Sequence, residues 1–585
     1  MKDIRTRIQE ISDDKRARLA HLLQKKLEKS QNKQPLNGEY DVVILGGGLA
    51  GLTLARQIKQ ARPETSILVA EKRKHPVPEV AFKVGESTVE LGTHYLRDVL
   101  GLTEHLETYQ LPKAGLRCFF TAGNNNDIAQ RVELGGRIIP PVPSHQFDRG
   151  RLENMLGEEN LTLGVDFWHD CKVREVSFGS SQHLVSLLRD TQELTVSARW
   201  VVDASGRAGL LKRQLGLAEK VTHDASAVWF RIDDKIDVTE WSSDERWRAR
   251  VPDGLRWLST NHLMGRGYWV WLIPLPSGAT SIGIVADEKL HPHKQMNRFE
   301  RALAWLYQHE PQCAQIIDQK RDRLQDFRAL KQYAYGCKRV FSAERWALTG
   351  EAGVFVDPLY SPGTDFIGMG NSLITDLIIR DLAGEAIRER VEHYNLSYIN
   401  LFKLFLAIYE GQYALMGNSQ VMSAKIVWDF AIYWAVTTLL FFHNNKLFDW
   451  TWVSSINHDF QRFNRLHTGM QHFFRQWDEV GTGEWSEIFV DLQKIDFLYQ
   501  LHLELEAGLG EEELKVQFSK NIDLLEFVAE EMIKQATKNH SLSSNGKDRQ
   551  SAIHSLLQNN GFVSSTQTKE NYGKVRADLS HIWFD

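Results

Sequence analysis

Chemistry enters this chain first at a run of glycines. Val42-Val43-Ile44-Leu45 is a short β-branched run that reads as a buried parallel strand, and it breaks into Gly46-Gly47-Gly48-Leu49-Ala50-Gly51. Gly46, Gly48 and Gly51 stand in G-x-G-x-x-G spacing. The first permits the tight turn, the second lets backbone N–H groups approach a pyrophosphate, and the third lets the following helix pack on the strand. A bare glycine pattern also describes a structural turn. Here a second strand, Ser66-Ile67-Leu68-Val69-Ala70, ends in Glu71, at the distance and charge expected for an acid that binds a ribose hydroxyl.

Other stretches join this cradle. Trp200-Val201-Val202-Asp203-Ala204-Ser205-Gly206 repeats the passage from strand to small-residue turn, a second approach of backbone to the same cofactor. Trp346 to Ala352, with Gly350 and Glu351, is a third, continuing through Asp357-Pro358-Leu359-Tyr360-Ser361-Pro362-Gly363 into a helix from about Asp365 to Ala383. Gln146 to Leu152 opens another helix and sets Arg149 to face phosphate or flavin. Phe82-Lys83-Val84-Gly85-Glu86-Ser87-Thr88 is a glycine-centred loop before a helical stretch, Leu91 to Leu100. Trp269 and Trp271 lie two apart on a strand, so both rings face one side of the sheet; two rings filling a core would read the same way.

The elements that position these residues predict an α/β fold: a Rossmann-like dinucleotide-binding domain, which the resemblance below makes an FAD-binding domain, a mixed β-sheet substrate domain and a helical C-terminal region. Strands are expected at Ala227 to Ile232, Tyr268 to Pro274 and Thr280 to Ala286. The expected organisation is an N-terminal amphipathic helix (Ile11 to Lys29) with linker over 1–37, a core over 38–383, a helical region over 384–538 and a tail over 539–585. Within the core, the cofactor-binding segments fall at about 40–210 and 340–383 and the substrate-side sheet at about 220–290. The 585 residues are 42% hydrophobic and 25% charged, with a net charge of −5, and no basic stripe marks a nucleic-acid binder. Cys118, Cys171, Cys313 and Cys337 lack C-x-x-C spacing, so neither a disulfide framework nor a metal site is expected. Met1 to Gln34 is charged throughout, unlike a signal peptide. Ile426 to Phe442 is read as a buried helix rather than a membrane span, and the expected compartment is the cytoplasm.

Together, Gly46 to Gly51 with Glu71-Lys72-Arg73, Asp203 to Gly206, and Gly350-Glu351-Ala352 through Asp357-Pro358 resemble the FAD fingerprint of flavoprotein monooxygenases. Trp269-Val270-Trp271-Leu272-Ile273-Pro274 matches W-x-W-x-I-P, the hallmark of flavin-dependent halogenases. The resemblance covers roughly residues 40 to 380. It implies FAD, used as FADH2 from a partner flavin reductase, with O₂ and chloride or bromide, and FAD contacts at Gly46, Gly48, Ala50, Gly51, Glu71, Arg73, Arg149, Asp203, Gly350, Glu351 and Gly363. Hypohalous acid then travels to a lysine that positions or carries the electrophilic halogen, and an electron-rich ring is substituted. Lys83, just before Gly85-Glu86-Ser87, matches the lysine of phenol- and pyrrole-type members. Tryptophan-type members place theirs where this chain has His94, which argues against free tryptophan as substrate. Trp269 and Trp271 would keep substrate from the flavin.

The halide turn departs from the pattern. Members bind halide through backbone N–H groups of a Ser/Thr-Gly turn. Here Ser361-Pro362-Gly363 puts proline, which has no N–H, in the middle, leaving Gly363 and Thr364 as donors. Asp365 would repel an anion if it pointed inward and would act as a cap if it faced away. Glu351 stands where Asp is usual. These departures indicate a divergent branch. The expected substrate is phenolic, tyrosine-derived, or bound to a carrier or peptide, and Ile11 to Lys29 resembles a helix recurring between nonribosomal peptide synthetase modules. A halide-independent FAD monooxygenase or other oxidoreductase, and a binding module that has lost catalysis, remain as alternatives.

Overall fold

The computed structural model describes residues 36–80, 84–480, 484–540 and 573–584. The expected N-terminal helix at Ile11 to Lys29, and Lys83 itself, lie outside the described residues.

The glycine turn sits at the end of strand Leu36–Leu45, which is central in its sheet. It pairs in parallel with Gln192–Asp203 on one side and Ile67–Ala70 on the other, with Val43 opposite Val201 and Leu68. Val42, Val43, Ile44 and Leu45 are all buried, as a parallel strand covered on both faces requires. The sheet continues outward through Val165–Trp168 on one flank and Trp346–Leu348 on the other. Parallel strands need a crossover, and helix Leu49–Ala61 provides it from the first strand to Ile67–Ala70. That helix packs between Arg149–Thr162 and Gly363–Leu382. Three segments of widely separated sequence therefore meet around one glycine turn.

A second, mostly antiparallel sheet runs in the order Leu324–Leu330, Ala225–Ile232, Thr280–Asp287, Tyr268–Pro274, Thr260–Gly265, Leu116–Phe120, Glu133–Gly135, Phe489–Asp491. The alternation along Tyr268–Pro274 divides two cores. Trp269, Trp271 and Ile273 enter the main core, whereas Val270 and Leu272 pack under helices Phe299–His309 and Pro311–Asp318. The three expected strands form with ends within two residues of their sequence reading. Phe489–Asp491 was not foreseen. It pairs with Glu133–Gly135, so the C-terminal region adds an edge strand to the middle sheet.

The C-terminal region is built from long helices, Arg388–Tyr409, Asn457–Val480 and Glu511–His540. Ser419–Phe442 is long and apolar enough to cross a membrane, but 78% of its apolar window is buried inside the protein. It widens at Tyr433–Thr438 into a π-type turn. All four cysteines are buried and unpaired.

Candidate active site

The three turns converge. Gly46 has φ +123°, and a Cβ there would lie 2.4 Å from the Ala204 carbonyl oxygen, so the first turn rests directly on the Asp203 turn. A Cβ on Gly51 would lie 2.0 Å from the Gly46 carbonyl oxygen, and one on Gly350 3.1 Å from the Ala50 Cβ. Glu71 accepts a hydrogen bond from the Gly47 N–H at 2.7 Å through Oε2 and from the Arg73 N–H at 2.9 Å through Oε1. It thus stands at the rim of the cradle, where an acid can reach a ribose, while the Arg73 side chain is exposed. The cradle fits FAD: its glycines let the turn pack against neighbouring segments at distances a Cβ would block, and the helix beginning at Leu49 has no acid in its first turn.

The other expected cofactor residues divide into two kinds. Asp203 is fully buried, and its carboxylate is spent on its own turn, accepting from Ser205 N–H at 2.9 Å and Leu211 N–H at 2.7 Å. It shapes the cradle from beneath. Glu351 makes no such turn. Burial pushes its carboxyl up, against the pull of Arg207, Arg149 and Lys212. Arg149 bridges: its guanidinium donates to the carbonyls of Val84 at 2.8 Å and Gly85 at 3.2 Å, and pairs with Glu153 at 2.9 Å. Glu153 in turn accepts from the Leu49 N–H at 3.2 Å. The segment just after Lys83 is thereby tied to the start of the cradle helix.

The expected halide turn is held in an unusual backbone. Tyr360 (φ 67°) and Ser361 (φ 58°) are both left-handed, a conformation that side-chain-bearing residues rarely adopt and that the surroundings must enforce. Tyr360 is anchored by its hydroxyl, which donates to Asp429 at 3.1 Å; Asp429 is itself held by Lys425 and Gln471. Below, Asp357 accepts from the Leu359 N–H and from the hydroxyls of Tyr333 and Tyr413. Tyr413 also receives the Trp269 indole N–H at 3.0 Å. Helix Gly363–Leu382 starts at once, its first turn closed by Phe366 N–H to the Pro362 carbonyl. The N–H groups of Gly363 and Thr364 precede that bond and are among those a helix leaves for an anion.

Asp365 does not cap this helix. It is fully buried and accepts the Tyr433 hydroxyl at 2.8 Å through Oδ2. Burial pushes it up to about 7, so the repulsion of an anion expected from its position is relieved as it takes up a proton.

Pro362 and Asp365 line one cavity, with about 1030 Å³ of empty space including its mouth. Its walls are Tyr360, Tyr409, Phe430, Tyr433 and Trp434, and Ile138, Pro140 and Pro141 lie at its margin. Two charged groups that the sequence reading missed also line it. Lys113 is buried, donates to the Thr88 carbonyl at 2.7 Å, and is pulled down by burial to about 8. Burial pushes Glu90 up, but the hydrogen bond and charge of His502, 3.2 Å away, hold it below the usual carboxylate range. Lys113 could have been noticed as one of two cations, with Arg117, inside the otherwise apolar run from Leu111 to Phe120. No local signal joins Glu90 to His502, more than 400 positions later.

Trp269 and Trp271 do share one face, with ring centroids 5.7 Å apart, both buried. Trp271 lies against Gly283, where a Cβ would come within 2.2 Å of its ring. His94 stacks on Phe442 at 3.9 Å, filling space rather than presenting a cation. Among the described residues no cluster could hold a metal ion.

The profile of an FAD binding domain matches residues 39–293. A flavin-dependent halogenase of Dictyostelium discoideum, chlA, is 25% identical over 430 residues, covering 68% of this chain and 70% of the relative. The 1H-pyrrole-2-carbonyl-(peptidyl-carrier protein) chlorinase of Pseudomonas fluorescens is 27% identical over 351 residues, covering 56% of this chain and 72% of the relative. Among solved structures, the halogenase PltM in complex with phloroglucinol and FAD shares the fold, with a TM-score of 0.59 at 17% identity, covering 84% of this chain and 96% of that one. The glycine cradle, the matched FAD domain and these relatives agree: the chain is an FAD-binding oxidoreductase similar to flavin-dependent halogenases.

Proposed function

We propose that this protein halogenates an electron-rich aromatic ring, phenolic or pyrrole-like, free or tethered to a carrier or peptide, using reduced FAD, O₂ and chloride or bromide. The observation that carries the reading is that one aromatic-walled cavity begins at the residues of the expected halide turn, Tyr360, Pro362 and Asp365. Bound FAD, reduced by a partner flavin reductase in the cytoplasm, would supply with O₂ the oxidation of halide to hypohalous acid. Glu71, Glu351, Arg149 and the glycines would hold the cofactor, with Ala50, Arg73 and Asp203 at its margins. Gly363 and Thr364 would hold halide at the helix N-terminus, and Lys83 would position the electrophilic halogen. With a ring bound, the apolar walls would keep water from the reacting centre, so that hypohalous acid meets the ring rather than bulk nucleophiles.

The aromatic lining suits a planar ring, and one of the relatives named above is a chlorinase of carrier-bound pyrrole. Purified protein with FAD, a reductase, bromide and a panel of phenols and pyrrolyl thioesters should give a brominated product, lost in Lys83→Ala. Full activity of Lys83→Ala would remove that lysine from the reaction. A hydroxylated product made equally well without halide would replace halogenation by oxygenation.

A further inference from the structure

We infer that Asp365 is the base that accepts the ring proton displaced by halogen, with Lys113 and Glu90 setting its charge. The inference rests on the halogenase reading above and adds a catalytic group to it. Asp365 is fully buried and lines the cavity. Its Oδ2 is occupied by the Tyr433 hydroxyl. Its Oδ1 has the Gly92 backbone N–H nearby but outside hydrogen-bond geometry, and so has no partner. A buried, unpartnered carboxylate oxygen is costly unless a ligand uses it. The groups facing it come from separate elements: Glu90 from the helix Glu90–His94, Lys113 from beyond the strand Leu111–Pro112, and Tyr433 from the π-type turn. Asp429 and Tyr409 stand further along the wall, and His502 acts through Glu90.

The step balances with hypohalous acid as the oxidant. The ring π pair forms the carbon–halogen bond as the oxygen–halogen bond breaks, leaving hydroxide. The ring C–H bond then breaks, its electron pair restores aromaticity, and its proton moves to the Asp365 carboxylate. Asp365 passes that proton to hydroxide, giving water. A base of this kind works near neutral pH only if its carboxyl titrates there, and burial places Asp365 in that range.

The test follows ring halogenation by the full-length protein against pH, with excess free methionine to scavenge hypohalous acid released to solution. Wild type should lose rate as pH falls through the titration of Asp365. Lys113→Met, which removes a neighbouring positive charge, should move that acid limb to higher pH, and Glu90→Gln should move it to lower pH. Asp365→Asn should lower the rate about 100-fold or more, the scale of a lost general base, and erase the limb. It should also bring in a primary isotope effect with ring-deuterated substrate, absent in wild type; a purely structural role would not do this. Asp365→Glu should restore part of the rate together with a limb. Asp365→Asn with normal FAD binding, an unmoved limb and no isotope effect would overturn the inference while leaving halogenation standing. Wild type without any halogenated product would overturn both.

Discussion

The Tyr433 hydroxyl donates to Asp365 at 2.8 Å, joining the first turn of the core's last helix, Gly363–Leu382, to a π-type turn in the C-terminal helical region. Tyr360 and Asp429 make a parallel junction between the same two parts of the chain. The C-terminal region is thus the outer wall of the cavity, and it fixes both the backbone and the charge of the turn where halide is proposed to bind.

Tyr360→Phe should loosen that turn. The left-handed pair Tyr360-Ser361 would lose a side-chain anchor, while Asp429 keeps its bonds to Lys425 and Gln471. A hydrogen bond to a charged group contributes about 1.5–3 kcal/mol, so the halide KM should rise about tenfold or more with FAD affinity unchanged. Steady-state kinetics against bromide and a flavin titration check the two halves.

Glu71→Gln should weaken FAD binding by about tenfold or more, from the loss of charge at a hydrogen bond worth about 1.5–3 kcal/mol. Flavin fluorescence titration measures it. An unchanged Kd would take Glu71 out of the cofactor site and leave it as the cap of the Gly47 turn.

Asp365 should leave a mark on stability. Its carboxyl is raised from 3.8 to about 7 in the folded protein, so the folded state holds a proton that the unfolded state releases. The stability this contributes is complete below the unfolded value and is lost as pH rises through about 7. Asp365→Asn should therefore gain in Tm relative to wild type between about pH 5 and pH 8. A constant difference across that range would mean the group does not titrate there.

Gly283→Ala should cost about 1–3 kcal/mol, the usual penalty for overpacking. The added Cβ would come within 2.2 Å of the Trp271 ring, which is buried and cannot swing to solvent. Chemical denaturation measures the cost, and a shift of product from halogenated to hydroxylated would tie Trp271 to shielding.

The cradle was readable because it is local: Val42 to Gly51 and the strand ending in Glu71 form one βαβ unit whose glycines have steric reasons to be there. The Trp269 and Trp271 pair followed from the alternation of one strand. Asp203 lies beside the cradle, yet its carboxylate accepts from the Ser205 and Leu211 backbone N–H groups, which no local pattern announces. The sequence leaves the direction of Asp365 open, because a residue at a helix start can cap or turn inward, and only Tyr433 decides between them. Lys113, Glu90 and His502 went unread since burial and long-range pairing, not spacing, single them out.

The central claim is that reduced FAD drives halide onto a ring inside the cavity bounded by Tyr360, Asp365 and Tyr433. Mass spectrometry of products from an assay with reductase, FAD and a phenol or pyrrolyl thioester, run with and without bromide, tests it most directly. A product with the bromine isotope doublet should form only when bromide is present. An oxygenated product of equal yield in both samples, with no brominated species, would contradict it.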